Sequence, residues 1–164
     1  MRISVLTASD RCSRGEAEDK SCPLIAALLA ETAEIVCCRC VPDDRAAIAS
    51  ALIEMCDVFH SDVVFTTGGT GFAPRDVTPE ATRDVIDREV PGIPEAIRAE
   101  SLKITPKAML SRAAAGIRGK TLIVNLPGSE KAAKENLAAV IDALVHGMEM
   151  LCADGSTDHS HGAH

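Results

Sequence analysis

Hydrophobic and polar residues along the chain alternate with two different periods. Short apolar runs predict β-strands near residues 2–8, 34–41, 62–67 and 121–126. Apolar residues spaced three and four apart predict helices near residues 22–32, 44–57, 79–89, 94–103 and 130–151. Because strand-like and helix-like segments take turns along the chain, the pattern predicts an α/β fold built in layers.

Two stretches depart from this alternation. Residues 108–117 are rich in alanine, which favours a helix, but the turn residues at 116–120 could instead join two strands and give a mixed sheet. The polar residues from Asp154 onward include three histidines and predict a disordered tail. At 164 residues, the chain has room for one domain, which we expect over residues 1–152, with the tail at 153–164.

Composition and charge exclude several classes of protein. The chain has three Phe and no Trp or Tyr, and its 17 basic residues against 24 acidic ones give a net charge of −7, so no nucleic-acid partner is expected. The apolar runs are too short to cross a membrane, and the N-terminus lacks the apolar region of a secretory signal. We therefore expect a cytoplasmic protein without a membrane partner.

The seven cysteines predict reduced thiols, because their number is odd and the chain is long enough for a core without a disulfide framework. Cys37 and Cys40 form a C-x-x-C pattern. In a strand rising about 3.3 Å per residue they would lie roughly 10 Å apart on opposite faces. This distance exceeds the Cα–Cα limit of about 7 Å for a disulfide. Small buried apolar side chains are therefore expected rather than a metal or redox site.

Polar and glycine residues follow three predicted strands at the point where each ends. These segments are Ser9-Asp10-Arg11, Pro42-Asp43-Asp44 and Gly68-Gly69-Thr70-Gly71. In open α/β sheets, ligands bind where such loops converge at the carboxyl ends of the strands. The sequence therefore predicts a binding site at this edge of the sheet.

The glycine-rich segment from Gly68 to Gly71 predicts a phosphate cradle, since glycines let backbone N–H groups point together at an anion. A plain tight turn is the alternative. The segment is not a P-loop, because no Gly-Lys-Ser/Thr follows it. It is not the dinucleotide fingerprint either, because Pro74 stands where the third glycine belongs.

Asp76 is the first candidate metal ligand. Thr78, Pro79 and Glu80 resemble a helix start with Thr78 as the cap, so Asp76 is not needed for capping. A carboxylate beside a phosphate loop would repel its ligand unless a cation lay between them, which points to Mg²⁺.

Asp43 is the second candidate for the same Mg²⁺, although either Asp43 or Asp44 could instead cap the following helix. Local positive charge could come from Arg11, Lys20, Arg75 and Lys131. The segment from Asn125 through Pro127 and Gly128 to Ser129 ends the fourth strand. It predicts a second anion or base-edge site or, equally, a simple turn capped by Ser129.

Taken in order, these four motifs resemble the molybdopterin adenylyltransferase family, of the MogA/MoaB type to which the gephyrin G domain also belongs. The motifs are Ser9-Asp10-Arg11, Pro42-Asp43-Asp44, the glycine loop with Arg75-Asp76-Val77-Thr78-Pro79-Glu80-Ala81, and Asn125-Leu126-Pro127-Gly128. The resemblance covers about residues 1–152. Cys22 and Glu130 depart from it, since relatives commonly have glycine and proline there.

The resemblance implies a three-layer α/β/α sandwich with a mostly parallel, mixed sheet, usually assembled as a trimer or a dimer of trimers. It implies an enzyme that binds molybdopterin and Mg-ATP, transfers AMP to the terminal phosphate of molybdopterin and releases pyrophosphate. The product would then be handed to a molybdate-insertion enzyme.

By position, the resemblance makes Asp43, Asp76 and Ser111 catalytic, with Asp43 and Asp76 also holding the metal. It assigns substrate binding to the loops at the sheet edge: Ser9, Asp10, Gly68, Gly69, Thr70, Gly71, Arg75, Asn125, Pro127 and Gly128.

Two other functions stay open from the sequence. A non-catalytic pterin-binding or scaffold protein of the same fold would keep the glycine loop without needing both aspartates. A nicotinamide-dependent dehydrogenase is disfavoured, because no ribose-binding acid follows the loop at the usual distance; Glu89 falls near it but on a predicted helix.

Overall fold

The computed structural model describes residues 1–153 and contains one six-stranded mixed sheet. The strand order is β2-β1-β3-β6-β5-β4. The strands β2, β1, β3 and β6 are parallel to one another, and β5 pairs antiparallel with both β6 and β4. The strands are β1 (Arg2–Ala8), β2 (Glu34–Val41), β3 (Val63–Thr67), β4 (Arg88–Glu89), β5 (Ala115–Arg118) and β6 (Thr121–Leu126). The helices are α1 (Asp10–Ser13), α2 (Ser21–Leu28), α3 (Arg45–Asp57), α4 (Thr78–Val85), α5 (Gly92–Leu102) and α6 (Glu130–Cys152), with a 3₁₀ helix at Pro106–Leu110.

Helices cover both faces of this sheet, which confirms the three-layer α/β/α sandwich. Alternate residues of the central strands point into two separate cores, as the pleat requires. On β3, Phe65 packs into the core under α2, α5 and α6, whereas Val64 packs into the core under α3 and α4. Because both faces of β1, β3 and β6 are buried, these strands read as nearly continuous apolar runs, whereas the edge strand β2 is mostly half-buried.

The predicted helix at 79–89 is wrong in its last four residues. Helix α4 ends at Val85, and Arg88 and Glu89 form the edge strand β4 beside β5. Gly116 permits this pairing, because a Cβ there would lie 2.7 Å from the carbonyl oxygen of Arg88. Residues 108–117 contain the end of the 3₁₀ helix and the start of β5. A turn at Gly119 joins β5 to the antiparallel strand β6, which confirms the mixed-sheet alternative.

The expectation of reduced thiols is wrong for four of the cysteines. Cys12 is disulfide-bonded to Cys40, and Cys22 to Cys38, with Cα–Cα distances of 6.2 and 6.1 Å. Cys38 and Cys40 share one face of β2, because they are two residues apart on a strand. Their partners, Cys12 in α1 and Cys22 in α2, are brought to the same strand by the fold. Cys37 is free and packs against the core on the other side of the sheet, so the predicted opposite orientation of Cys37 and Cys40 is confirmed.

Within residues 1–153, no helix is long and apolar enough to cross a membrane. The tail prediction for residues 153–164 falls, apart from Ala153, outside the described part of the chain.

Candidate active site

The carboxyl ends of the four parallel strands meet at one edge of the sheet, as predicted. The amide of Ser9, after β1, donates to the carbonyl oxygen of Val41 at the end of β2, at 2.9 Å. A Cβ at Gly128, after β6, would lie 3.2 Å from the Cα atom of Gly68, after β3. Loops far apart in sequence therefore form one continuous surface at this edge.

The glycine loop adopts a conformation that other residues rarely reach. Gly68 and Gly69 have φ angles of 87° and 64°, in the left-handed region where a Cβ is disfavoured. A Cβ at Gly68 would lie 2.5 Å from the carbonyl oxygen of Ala8, and one at Gly69 would collide with Oγ1 of Thr78. The loop is thus packed against both β1 and α4 and presents backbone at the sheet edge.

The structure separates the roles of Asp43 and Asp44. The carboxylate of Asp44 accepts the amide of Ala47 at 2.8 Å and caps α3. Asp43 does not cap the helix. Its Oδ2 accepts the amide of Asp10 at 3.0 Å, and its own amide donates to Oδ1 of Asp10 at 3.1 Å. Oδ1 of Asp43 lies 3.6 Å from the position of a Cβ on Gly69, so this carboxylate faces the glycine loop.

Arg75 reaches the same cluster and forms a two-pronged ion pair with Asp10. Its Nη2 lies 2.7 Å from Oδ1, and its Nε lies 2.7 Å from Oδ2. The hydrogen bond from Arg75 is the main reason that the pKa of Asp10 lies below its ordinary value. Arg75 was predicted to face substrate, and here it links the glycine-loop segment to the loop after β1.

This ion pair predicts a measurable titration. Because the pKa of Asp10 is lowered in the folded protein, the stabilising pair is present above the ordinary value of 3.8 and is lost as the pH falls through the lowered one. In Arg75→Gln, the pKa of Asp10 is expected to rise towards or above 3.8, measured by carbon-13 NMR of the carboxyl. Arg14→Gln, which removes a weaker charge effect on Asp10, is the control and should raise it less. Equal pKa values in wild type and Arg75→Gln would show that the pair does not form.

The carboxylate of Asp76 is hydrogen-bonded within its own loop and is not free. Its Oδ2 accepts the amide of Ala73 at 2.9 Å and lies 2.9 Å from the position of a Cβ on Gly71. Asp43 and Asp76 therefore approach the same loop at glycines two residues apart.

Thr78 does not cap α4, which corrects the prediction. Val77 is the N-cap, and no side chain caps the helix. The hydroxyl of Thr78 is buried behind Gly69 and is the one buried side-chain oxygen or nitrogen in residues 1–153 without a hydrogen-bond partner. A buried polar atom without a partner is uncommon in proteins and marks this place as unusual.

Arg112 is a site residue that the sequence analysis missed. Its Nε donates to the carbonyl oxygen of Gly71 at 2.7 Å, and its other guanidinium nitrogens contact the carbonyl oxygen of Asp76 and the carboxylate of Glu80. Its own amide donates to the carbonyl oxygen of Thr70 at 2.9 Å. Arg112 therefore joins both ends of the glycine-loop segment to α4. No local sequence pattern distinguishes it from the other arginines.

Two cavities flank the glycine loop. Cavity A, of about 340 Å³, is lined by Gly68, Gly128 and the segment before α2, including Glu18, Asp19 and Lys20. Cavity B, of about 270 Å³, is lined by Thr70, Gly71, Pro127 and Ser111 together with Arg98 and Lys107. The loops after β3 and β6 therefore each contribute to both cavities.

Only some of the predicted site residues line these two cavities. Ser9, Gly68 and Gly128 line cavity A, and Thr70, Gly71, Ser111 and Pro127 line cavity B. Asp10, Asp43 and Arg75 line neither, and Asp76 lines a separate cavity together with Phe72 and Arg112. Ser9 lines cavity A and also caps α1 by accepting the amide of Cys12 at 3.2 Å. Asn125 does not face either cavity. Its fully buried amide donates to Thr66 and Thr82 at 2.9 Å each and accepts from the amide of Ala114 at 3.0 Å. These bonds tie β6 to its neighbours, so Asn125 supports the site from below.

Most of the basic residues that were predicted to supply positive charge are paired with acidic residues. Lys20 lines cavity A and lies 3.7 Å from Glu130, Lys131 lies 4.0 Å from Glu135, and both pairs are exposed. The basic residues of cavity B, Arg98 and Lys107, were not singled out from the sequence. They come from α5 and the 3₁₀ helix, which the strand-end argument did not reach.

The donors around the glycine loop fit Mg²⁺ in kind. The carboxylates of Asp43 and Asp76 are oxygen donors, which Mg²⁺ prefers. Mg²⁺ commonly takes one or two carboxylates from protein and its remaining ligands from phosphates and water. Residues 1–153 contain no group of three or more histidine, cysteine or acidic residues arranged as a metal site.

Comparisons with known proteins identify the family of this chain. The family model described as "Probable molybdopterin binding domain" matches residues 4–146. A molybdopterin adenylyltransferase from Helicobacter pylori J99 is 45% identical over 159 residues, covering 92% of this chain and 88% of the relative. The Escherichia coli K12 protein of the same name is 44% identical, covering 90% of this chain and 80% of the relative.

Solved structures show the same fold. The molybdopterin biosynthesis enzyme MoaB from Thermus thermophilus superposes with a TM-score of 0.86 at 46% identity, covering 92% of this chain and 95% of that one. A family model spanning most of the chain and relatives at this level of identity lead to one assignment. The chain belongs to the molybdopterin adenylyltransferase family.

Proposed function

We propose that the protein transfers AMP from Mg-ATP to the terminal phosphate of molybdopterin and releases pyrophosphate, a step of molybdenum cofactor biosynthesis. The observation that carries this proposal is the glycine loop between two cavities, with Asp43 and Asp76 approaching it at Gly69 and Gly71. An enzyme that joins two phosphate-bearing substrates needs two adjacent binding sites and charge neutralisation where they meet. Relatives named molybdopterin adenylyltransferase support the choice of substrates.

The charges of the cavities suggest which substrate each one takes. Cavity B carries Arg98, Lys107 and the hydroxyl of Ser111, which suit a phosphate monoester such as the end of molybdopterin. Cavity A is lined by three acidic side chains and Lys20. It therefore suits a nucleotide whose phosphate charge is already neutralised by Mg²⁺. We assign the pterin to cavity B and the nucleotide to cavity A.

The chain's own residues then position the reaction. Backbone of the glycine loop supports the phosphates, and Arg112 prevents the loop from opening by holding Gly71 and Asp76. Ser111 orients the terminal phosphate of the pterin, one of whose oxygens attacks the α-phosphorus of ATP while pyrophosphate leaves from the opposite side. Asp43 and Asp76 would hold Mg²⁺, which neutralises charge that develops on the phosphates.

The direct test incubates the protein with molybdopterin, ATP and Mg²⁺ and measures pyrophosphate release and adenylyl-molybdopterin by mass spectrometry. Equal amounts of both products are expected. Molybdopterin bound without any pyrophosphate release would favour the non-catalytic scaffold. Release of ADP or inorganic phosphate instead of pyrophosphate would contradict attack at the α-phosphorus.

We further propose that the protein hands its product to a molybdate-insertion enzyme and acts in the cytoplasm, where ATP is available.

We also propose that the protein assembles as a homotrimer or a dimer of trimers. Exposed apolar side chains support this assembly. Ile104, Met109 and Leu110, in the segment after α5, are 58, 64 and 46% exposed, and Leu110 lines cavity B. Exposed apolar patches commonly mark interfaces. A solution mass of three or six chains by light scattering is the expected result.

A further inference from the structure

Two disulfides bracket one wall of cavity A. Cys12 and Cys22 lie at the two ends of the segment 13–21, which we call the bracketed segment. Cavity A is lined by Gly68 and Gly128 and also by five residues of the bracketed segment: Ala17, Glu18, Asp19, Lys20 and Ser21. Each end of this wall is therefore covalently attached to the body of the protein.

Both attachments lead to one strand. Cys38 and Cys40 are two residues apart on β2, which is an edge strand of the sheet, and they pair in register with Val5 and Thr7 of β1. The same face of β2 therefore anchors both ends of the bracketed segment. An edge strand has a neighbour on one side alone, so reagents can reach its outer side. Cys38 is exposed, and Cys12 and Cys40 are partly exposed.

Few other interactions hold this wall in place. Helix α1 has no buried residue, and most side chains of residues 13–20 are exposed. Asp19 accepts hydrogen bonds from the hydroxyl of Thr7 at 3.0 Å and from the amide of Ser21 at 2.9 Å. The bracketed segment also makes an exposed ion pair between Lys20 and Glu130 and a local ion pair between Arg14 and Glu16. The short-range hydrogen bonds at its start, such as the one from the amide of Glu16 to the carbonyl oxygen of Arg11 at 2.9 Å, stay within α1 and the turn that follows it. Segments with so little buried apolar contact open easily once covalent ties are lost.

We propose that the two disulfides form a redox latch on cavity A. In the oxidised state the bracketed segment is held against the glycine loop, and in the reduced state it opens, so the cavity binds its phosphate-bearing ligand less tightly. The identity of that ligand as a nucleotide rests on the proposed function. Disulfides in reducing compartments are characteristically transient and redox-sensing, in keeping with such a latch.

The chemistry is thiol–disulfide exchange with a dithiol. A thiolate of the dithiol attacks the Sγ atom of Cys38, which is an exposed residue. The disulfide to Cys22 breaks, and the Cys22 thiolate leaves and takes up a proton. The second thiol of the reagent then attacks the mixed disulfide and releases Cys38. Two electrons and two protons pass from the dithiol, which becomes a disulfide, to the two cysteines. The same sequence opens the pair of Cys12 and Cys40.

The first experiment measures opening without any ligand. Hydrogen exchange of amides 13–21 is recorded before and after dithiothreitol, with trypsin cleavage after Arg14 and Lys20 as a second readout. Reduction is expected to raise both rates about tenfold or more while exchange in α3 stays unchanged. Unchanged exchange and cleavage on reduction would overturn the latch, as would mass spectra showing that neither pair forms under oxidised glutathione.

Matched variants identify the bonds responsible. Cys12→Ser and Cys22→Ser, alone and together, are expected to show fast exchange in the bracketed segment under oxidising conditions, and the double variant should no longer respond to dithiothreitol. Cys152→Ser removes an exposed free thiol at the end of α6 and should behave as wild type. A double variant that stays closed and exchanges slowly would contradict the proposal.

The consequence for binding is measured separately with Mg-ATP as the probe. Its dissociation constant, by calorimetry, is expected to rise about tenfold on reduction of the wild type and to stay constant for the double variant. Redox-dependent exchange in a protein without adenylyl transfer would leave the latch standing and refute the proposed function. An active protein whose hydrogen exchange and Mg-ATP binding do not change on reduction would refute the latch and leave the proposed function standing.

Discussion

Asp43→Asn is expected to lower the rate of adenylyl transfer by about 100- to 1,000-fold, the usual cost of losing one group that stabilises charge in the transition state. Asparagine keeps an oxygen that can accept the amide of Asp10 but removes the negative charge that faces Gly69. Asp76→Asn should lower the transfer rate by a similar factor. Its loop should stay folded, because asparagine can still accept the hydrogen bond from the amide of Ala73. The measurement is pyrophosphate release in a single turnover, with thermal unfolding to show that the variants are folded.

Asp44→Asn is the matched control for this experiment. It changes the same chemical group one residue away, and asparagine caps helices about as well as aspartate. Its transfer rate should stay within about threefold of wild type. Equal losses in Asp43→Asn and Asp44→Asn would mean that general negative charge at this edge matters, and not the carboxylate that faces the glycine loop.

Gly68→Ala is expected to lower the free energy of unfolding by roughly 3 kcal/mol, from left-handed backbone strain together with an atomic collision. The φ angle is 87°, and the new Cβ would lie 2.5 Å from the carbonyl oxygen of Ala8, a backbone atom of the last residue of β1. Displacement of the loop should also abolish detectable Mg-ATP binding. Urea unfolding and calorimetry measure the two effects.

Gly119→Ala separates strain from collision. Its φ angle is 56°, also left-handed, but nothing lies within 4 Å of its Cβ position, and it is in the β5–β6 turn away from the site. It should cost about 1–2 kcal/mol and leave Mg-ATP binding unchanged. If Gly68→Ala is no more destabilising than Gly119→Ala, the close packing of the loop against β1 is not present in solution.

Local patterns identified the motifs of the site better than the roles of individual residues. The strand-end argument placed Asp10, Asp43 and the glycine loop together, because parallel strands carry their following loops to one edge of a sheet. It could not show that Asp44 caps α3 while Asp43 is turned to Asp10, since both residues suit a cap equally well. Nor could it show that Val77 and not Thr78 is the N-cap of α4.

Long-range partners account for what the patterns missed. Arg112 contacts Gly71 and Glu80, which lie 41 and 32 residues away in sequence. Strand β4 exists because the backbone of residues 86–90 pairs with β5, although its sequence continues a helical pattern. Local propensity is a weak preference, and hydrogen bonds to an adjacent strand outweigh it over two or three residues.

The order of apolar segments and the four loop motifs by themselves determined the layered fold, the edge of the sheet that carries the site and the family, because these properties depend on residue type and spacing along the chain. Tertiary structure alone decided which cysteines are bonded, which aspartate faces the glycine loop, and how the loop divides two cavities of different charge. Those properties depend on distances between residues that folding brings together, and such distances are not encoded in any short stretch of sequence.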